Sequence, residues 1–268
     1  MNQSFTPREF IDKINADNPG QVFDPYGVEG LIIKQQEEDS GVEMLTQAKA
    51  EVAKEKAKKT PEEQIAELER QVEAMKNWLI QDGTYTPELV DSKIQPLKVE
   101  YNEFTQHAEV VGVLDLRSLT SAEGLELPDS IGGFLDLRSL TSAEGLELPD
   151  SIGGDLYLGS LTTAEHLELP DRIGGNLTLR SLTSAEHLQL PTSIGRDIYL
   201  DGLTSAEHLQ LPDSIDGDLG LDGLTSAEHL TLPTSIGGDL YLGSLTTAER
   251  EHLRAQRPDL AENIEPIP

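Results

Sequence analysis

The chain has 268 residues, no cysteine and a formal net charge of −29 at pH 7. Without cysteine there are no disulfides, thiolate metal sites or cysteine nucleophiles. So large a negative charge would repel nucleic acid and anionic membranes, because phosphate binding relies on Lys and Arg. No apolar stretch reaches the roughly 18 residues of a membrane span, and the first 20 residues lack a secretory pattern, so we expect a cytoplasmic protein.

Residues 1–111 are predicted to be a helical region. A capping pattern begins a short helix at Thr6, with Pro7 at the first helical position. The segment 35–59 is charged and helix-prone but has only a thin apolar stripe. We interpret it as a solvated helix face.

The region ends in a predicted pair of antiparallel helices. Thr60 and Pro61 open the first, whose apolar residues step by three and four, the spacing of a coiled-coil seam. They are Ile65, Leu68, Val72, Met75 and Leu79. Thr86 opens the second, whose apolar stripe is Leu97, Tyr101, Phe104 and Ala108. Either the hairpin caps the repeats that follow, or its seam joins a second copy in a homodimer.

A 21-residue unit then recurs without insertion. Equivalent positions are Leu114, Leu135, Leu156, Leu177, Ile198, Leu219 and Leu240. In the unit from Leu135, a first L-x-L predicts a short strand, and a second, Leu146 to Leu148, predicts another that stops at Pro149, which has no N–H for a ladder. Such strands bury their leucines only by stacking, which predicts a β-solenoid of seven coils over residues 112–249.

Each unit also carries Thr followed three residues later by Glu, from Thr120 and Glu123 to Thr246 and Glu249. This spacing predicts a capping box that begins a single helical or 3₁₀ turn between the two strands. The alternative is a column of glutamates that binds cations or a basic peptide. After Glu249 the sequence continues as helix, which predicts a C-terminal cap within residues 250–268.

Two columns of the array carry possible ligand atoms. The residue after the Glu is His166, His187, His208 and His229 in four successive units. Parallel imidazoles do not converge on one ion, so we interpret this column as a solvated ladder with mild pH sensitivity. The second column is Asp155, Asn176, Asp197, Asp218 and Asp239, and it lacks the spacing of calcium-binding repeats. We predict no catalytic, cofactor or metal site.

Blocks such as Ile152–Pro170, with two L-x-L segments per unit, resemble bacterial leucine-rich-repeat proteins with short repeats. The resemblance covers about half of the chain. It implies protein–protein recognition, usually on one row of strands. The asparagine ladder of that family is predicted to be absent, because Leu119 and Leu140 stand where the family places Asn or Cys.

The outward positions of the first strand vary most between units, and exposed Tyr and Arg are favoured contact residues. The candidate partner-binding residues are Arg117, Arg138, Tyr157, Arg180, Tyr199 and Tyr241. Residues 112–249 carry 5 Lys and Arg against 23 Asp and Glu. The partner is therefore expected to be another protein, and a basic one would suit this charge. Neither nucleic acid nor a membrane is expected to bind the solenoid directly.

The sequence thus predicts an α+β fold: a helical N-terminal region (1–111), a leucine-rich-repeat-like β-solenoid (112–249) and a C-terminal helical cap with its tail (250–268). The expected function is a non-enzymatic protein-interaction or scaffold role. One alternative is an acidic nucleic-acid mimic that inhibits a DNA- or RNA-binding protein. Another is a purely structural or surface repeat protein.

Overall fold

A computed structural model describes residues 59–93, 97–102 and 107–264. The helices expected at Thr6 and in segment 35–59 lie outside the described residues. The chain divides into two compact units, residues 1–66 with 101–107 and residues 67–100 with 108–268. The solenoid belongs to the second unit. Among the described residues, no helix is both long enough and apolar enough to cross a membrane.

The first described helix, α1, runs from Pro61 to Gln81. Its predicted start at Thr60 and Pro61 is confirmed, and a capping box forms there: the Thr60 N–H donates to Oε2 of Glu63 at 2.8 Å, and the Glu63 N–H donates to Oγ1 of Thr60 at 3.3 Å. These two bonds satisfy N–H groups that a helix start leaves without partners.

The second predicted helix is wrong beyond its first turns. Helix α2 spans only Pro87–Lys93, and two strands follow, β1 (Lys98–Asn102) and β2 (His107–Val111). The apolar residues of these strands alternate with polar ones, and this two-residue period, with its Val and Tyr, outweighs the looser helical spacing. Val110 is fully buried and pairs in parallel with Ile131, so β2 leads directly into the solenoid.

The repeats form a parallel β-solenoid of about six turns with a 21-residue spacing, and the predicted α+β class is confirmed. Each turn gives one strand to each of two rows. The first row is a seven-stranded sheet of β3 (Leu114–Asp115), β5 (Leu135–Asp136), β7 (Leu156–Tyr157), β9 (Leu177–Thr178), β11 (Ile198–Tyr199), β13 (Leu219–Gly220) and β15 (Leu240–Tyr241). We number the coils 1 to 6 from Leu114, 21 residues each. The expected seventh coil is incomplete, because the chain passes from β15 into helix α3 (Thr247–Gln256).

The second row is not where the sequence predicts it. Its strands lie after the prolines: β4 (Ser130–Ile131), β6 (Ser151–Ile152), β8 (Arg172–Ile173), β10 (Ser193–Ile194), β12 (Ser214–Ile215) and β14 (Ser235–Ile236). The segment from Leu146 to Pro149 forms no strand. Proline is a poor ladder residue, but it does not prevent the β-branched Ile three positions later from pairing with its neighbours.

The second row is divided in two. Strands β1, β2, β4, β6, β8 and β10 form one sheet, and β12 and β14 form another. The division falls where the corner glycines are replaced, by Arg196 in coil 4 and Asp216 in coil 5. The corners are tight: a Cβ at Gly195 would lie 2.3 Å from the carbonyl oxygen of Gly174. A side chain at such a corner requires the coils to separate locally.

The inward residues of every coil form one aliphatic core. The Leu or Ile that begins each first-row strand is fully buried, and so is the Leu two residues after it. The predicted inward Ala is confirmed by Ala122, Ala143, Ala164, Ala185 and Ala206, which are all buried.

Helix α1 covers the first coil. Met75 and Leu79 are fully buried in the same core as the solenoid leucines. The Ser118 N–H donates to Oη of Tyr85 at 3.2 Å, and the Asp129 N–H donates to Oε1 of Gln71 at 3.1 Å. These contacts show the helical region capping the repeats, the first of the two roles predicted for it. The homodimer stays a prediction, and Leu68, Val72, Met75 and Leu79 of its proposed seam are already buried in the single chain.

The C-terminal helix is confirmed as a cap of the last strands. The Leu240 N–H donates to the carbonyl oxygen of Asn263 at 2.6 Å. Nδ2 of Asn263 in turn donates to the carbonyl oxygens of Ile236 (2.9 Å) and Gly238 (2.7 Å). Backbone groups at the end of both rows therefore have partners, which blunts an edge that would otherwise be free to pair with another chain.

Candidate functional site: the first-row face

The outward side chains of the first row form one surface, which we call the first-row face. Two positions of each unit contribute to it. They are Asp115 and Arg117, Asp136 and Arg138, Tyr157 and Gly159, Thr178 and Arg180, Tyr199 and Asp201, Gly220 and Asp222, and Tyr241 and Gly243. The strands beneath are fixed by buried leucines, so these side chains project from a rigid support.

Arginine–aspartate pairs occupy the first two coils. Nε of Arg117 lies 2.8 Å from Oδ1 of Asp115, and Nη2 of Arg138 lies 2.7 Å from Oδ2 of Asp136. Asp136 is fully buried, although its position in the strand predicts an outward side chain. Arg138 covers it with two N–H groups, and these hydrogen bonds raise the pKa of Arg138. The pairing keeps a buried carboxylate compensated while the Arg138 side chain remains 50% exposed.

Arginine–tyrosine stacks join neighbouring coils. Cζ of Arg138 lies 5.3 Å from the ring centroid of Tyr157, and Cζ of Arg180 lies 4.4 Å from that of Tyr199. Both distances are within the range of cation–π attraction. Nε of Arg180 also lies 3.1 Å from Oδ2 of Asp201. The structure thus brings four predicted contact residues together in two pairs.

The remaining two predicted residues lie at the ends of the face. Arg117 is in coil 1 and has a second carboxylate, that of Asp136, at 3.7 Å. Tyr241 is on the last strand, with its Oη 3.5 Å from Oδ2 of Asp218. The six residues therefore do not converge on one point. They are distributed along the row, as a docking surface requires and a catalytic centre does not.

A ladder of carboxylates and one amide borders the face, and the sequence reasoning missed it. Oδ1 of each residue accepts the backbone N–H of its equivalent one coil later. The bonds are Asn176 N–H to Asp155 (2.8 Å), Asp197 N–H to Asn176 (3.0 Å), Asp218 N–H to Asp197 (2.9 Å) and Asp239 N–H to Asp218 (2.8 Å). The signal available in the sequence was the restriction of this column to Asp and Asn, the residues that share an Oδ acceptor.

This finding qualifies the predicted absence of an asparagine ladder. Leu119 and Leu140 do stand at the position expected for Asn or Cys, and they are buried. The ladder lies instead immediately before the first-row strands from β7 to β15, as at Asp197 before Ile198. In both arrangements a side chain supplies the partner that backbone N–H groups at a bend require. In this chain the bend is the one that leads into the first-row strand.

The tyrosines are tied to this ladder. Oη of Tyr157 donates to Oδ2 of Asp155 at 2.7 Å, and Oη of Tyr199 donates to Oδ2 of Asp197 at 3.0 Å. The hydrogen bond to Asp155, followed by burial, raises the pKa of Tyr157. Burial, followed by the hydrogen bond to Asp197, raises the pKa of Tyr199 to about 12. Both rings are thereby oriented before any partner arrives.

The far end of the face is acidic. Oδ1 of Asp222 accepts the Gly243 N–H at 2.7 Å. Burial raises the pKa of Asp201, and the charge of Arg180 partly offsets this. The arginines lie in coils 1, 2 and 4 and these aspartates in coils 5 and 6, so the charge changes along the row.

The histidine column has a conformational explanation. His166, His187, His208 and His229 have φ between 61° and 65°, and Gly124 and Gly145 take the same left-handed conformation in coils 1 and 2. In coil 4, for example, the Leu188 N–H donates to the carbonyl oxygen of Ala185 at 3.1 Å, closing a turn with His187 at its third position. Such turns require positive φ there, which Gly adopts readily and His better than most residues.

The predicted capping boxes within the coils are wrong. In coil 2 the Glu144 N–H donates to Oγ of Ser142 at 3.1 Å, and the same Ser-to-Glu bond recurs at Glu123, Glu186, Glu207 and Glu228. Serine two residues before the glutamate closes a local turn, so no helix begins. The predicted box forms at Thr246 and Glu249, where helix α3 follows.

Within residues 59–93, 97–102 and 107–264, no three His, Asp or Glu side chains are grouped to hold a metal ion. Comparison with protein-family models, curated proteins and solved structures finds no match for this chain.

Proposed function

We propose that this chain is a non-enzymatic protein-interaction or scaffold protein of leucine-rich-repeat-like architecture, and that a partner protein docks on the first-row face. The proposal is carried by the two stacks, Arg138 on Tyr157 and Arg180 on Tyr199. A solenoid repeat fold is compatible with an interaction role or a structural role.

Preorganisation supports the interaction role. Tyr and Arg dominate the energetics of many interfaces, and a side chain that is already ordered loses less entropy on binding. The Arg180 side chain is 55% exposed although it contacts both Tyr199 and Asp201. An exposed guanidinium held by these two contacts is available for a partner's carboxylate or backbone carbonyl.

The charge of the array favours a basic partner. A partner that carries Lys and Arg would be attracted over the whole array and then oriented by the acidic coils 5 and 6. Electrostatic complementarity of this kind chiefly raises the association rate and makes it depend on salt.

The experiment compares the full chain with the double variant Arg180→Ala and Tyr199→Phe as baits for the same host lysate, with bound proteins quantified by mass spectrometry. We expect a specific partner to be depleted about tenfold or more with the variant, the effect of losing a contact worth at least 1.4 kcal/mol. The control is His187→Gly, which places in the histidine column the residue found at Gly145. Equal recovery with all three baits would contradict docking on this face.

The nucleic-acid mimic is the second candidate, and one observation favours it. Each histidine of the histidine column follows an exposed glutamate, one per coil. The side chains of these glutamates are between 67% and 77% exposed; they are Glu165, Glu186, Glu207 and Glu228. Coils are about 4.8 Å apart, so the charges form a regular line. Its signature would be a captured nucleic-acid-binding protein that duplex DNA displaces and that the first-row variant still binds.

A further inference from the structure

A second surface lies along the column of prolines and is formed by different residues from the first-row face. The Leu that precedes each proline is half-buried, unlike the fully buried leucines of the first row. We call this column the leucine stripe: Leu127, Leu148, Leu169, Leu190, Leu211 and Leu232. Each of these side chains packs on the core yet leaves part of its surface in solvent. One apolar side chain per coil makes a line of about 24 Å along the stacking direction.

A cleft opens on this stripe between coils 3 and 4, with a volume of about 360 Å³. Its lining residues are Leu169, Pro170, Asp171, Gln189, Leu190, Pro191 and Thr192. Two leucines of the stripe thus face a common recess, with polar residues at its sides. The recess is half open to solvent, so a partner side chain could rest on the two leucines beside the polar groups of Asp171 and Gln189.

Charged columns border the stripe on both sides, but only in the first half of the array. The residue before each stripe leucine is Glu126, Glu147, Glu168, Gln189, Gln210 and Thr231 in order. The second residue after it is Asp129, Asp150, Asp171, Thr192, Asp213 and Thr234. Coils 1 to 3 therefore have two carboxylates each beside the leucine, whereas coils 4 and 6 have none at these positions and coil 5 has one.

We propose that the leucine stripe binds an amphipathic helix of a partner protein, with the helix's apolar side chains on the leucines and its Lys and Arg residues over coils 1 to 3. This site is separate from the first-row face and does not depend on the function proposed for that face. The carboxylates at both borders select positive charge beside the apolar line. Their restriction to coils 1 to 3 orients the helix, because its basic end must lie there.

The repeat distances suit a helix. One helical turn advances about 5.4 Å, close to the coil spacing of about 4.8 Å, so an apolar residue in each turn meets the leucine of the next coil. Across three coils the mismatch grows to less than about 2 Å, which long side chains accommodate. Lys and Arg side chains at the edges of the helix can keep their charged ends in water while their stems cover leucine.

The test uses a labelled synthetic Leu/Lys amphipathic peptide of about 18 residues, roughly 27 Å long as a helix. Its Kd for the full chain is measured by fluorescence anisotropy. The stripe variant combines Glu147→Gln, Glu168→Gln, Asp150→Thr and Asp171→Thr, the residues that coil 4 carries at the same positions. The control variant removes the same number of negative charges from the glutamates that precede Gly145 and the histidines. Its substitutions are Glu144→Gln, Glu165→Gln, Glu186→Gln and Glu207→Gln.

We expect the stripe variant to raise the Kd about tenfold or more and the control variant to raise it less than about twofold. Equal weakening by both variants would overturn the proposal, since attraction by net charge alone would then explain binding. So would a peptide with Leu replaced by Ser that binds as tightly as the original. The first-row variant Arg180→Ala and Tyr199→Phe should leave this Kd unchanged, which separates failure here from failure of the first-row proposal.

Discussion

Tyr199 donates a 3.0 Å hydrogen bond to Oδ2 of Asp197, whose Oδ1 accepts the N–H of Asp218 in the next coil at 2.9 Å. A single carboxylate therefore positions a side chain of the first-row face and also joins two coils. The shape of the face depends on the same bonds that hold the stack. Changes at Asp197 are expected to affect stability and the ionisation of Tyr199 together.

The ladder can be tested at Asp197. Asp197→Ala should lower the free energy of unfolding by about 1–3 kcal/mol, because the Asp218 N–H and the Tyr199 hydroxyl lose their acceptor. Asp197→Asn should cost much less, since Asn176 already performs the same role with its Oδ1. Urea denaturation followed by circular dichroism gives both values. Equal losses would mean that the ladder bond adds nothing to stability.

The ionisation of Tyr199 provides a pH prediction. The pKa of its hydroxyl is about 12 in the folded chain and ordinarily 10.0, so between these values the folded chain keeps a proton that the unfolded chain has released. This contribution to stability is complete below pH 10 and is lost as the pH rises towards 12. Phenolate absorbance, compared with that of Tyr199→Phe, should show the missing component near pH 12. A difference centred near pH 10 would contradict the burial and hydrogen bond assigned to this hydroxyl.

The positive φ of the histidine column predicts opposite effects on stability for two substitutions of one histidine. His208 has φ of 64°. His208→Val should destabilise the chain by about 1–2 kcal/mol, because a β-branched residue fits the left-handed region poorly. His208→Gly should be neutral or stabilising, since it places there the residue of Gly145. Thermal unfolding of both variants measures this, and a stable Val variant would count against a conformational role for the column.

The N-terminal cap can be monitored by the single tryptophan, Trp78. A Cβ at Gly124 would lie 3.2 Å from Nε1 of Trp78. Gly124→Ala should therefore shift the tryptophan emission and cost about 1–2 kcal/mol from its positive φ. Gly145→Ala carries the same backbone strain, with φ of 70°, but meets Glu123 instead. It should cost a similar amount and leave the emission unchanged.

The division of the second row predicts a stabilising pair of changes. Arg196→Gly combined with Asp216→Gly restores the corner glycines and should let β10 pair with β12. Hydrogen exchange should then slow at the amides near Ile215. Unchanged exchange would mean that the corner side chains do not cause the division.

Periodicity predicted the solenoid because a 21-residue repeat leaves few ways to bury Leu114 and its equivalents. The second row was misplaced because the L-x-L pattern before Pro149 is locally typical of a strand. The strand forms instead at Ile152, because its pairing partners Ile131 and Ile173 lie 21 residues away in the neighbouring coils. The helix predicted through Ala108 failed for a similar reason: short apolar patterns fit both periods, and the pairing of Val110 with Ile131 selects the strand.

The candidate face was predicted by residue type, but its bonding was not. Asp136 reads as an exposed strand residue, and the sequence does not reveal that Arg138 folds over it. The Asp and Asn column was visible as a pattern, yet only the stacked coils place each Oδ1 beside the next N–H. The histidines invited a chemical explanation because the sequence shows residue type and hides φ.

The contacts that close the array belong to its ends, to Gln71 and Tyr85 at one and Asn263 at the other, while every junction within the first row repeats the same backbone hydrogen bonds. Loss of residues 156–176 would bring Asp155 directly before Leu177, with its carboxylate placed for the Asp197 N–H. Gain or loss of whole units therefore leaves both ends intact. Copy number is the property of this chain that can drift most easily, and the reach of each docking surface would change with it in steps of about 4.8 Å.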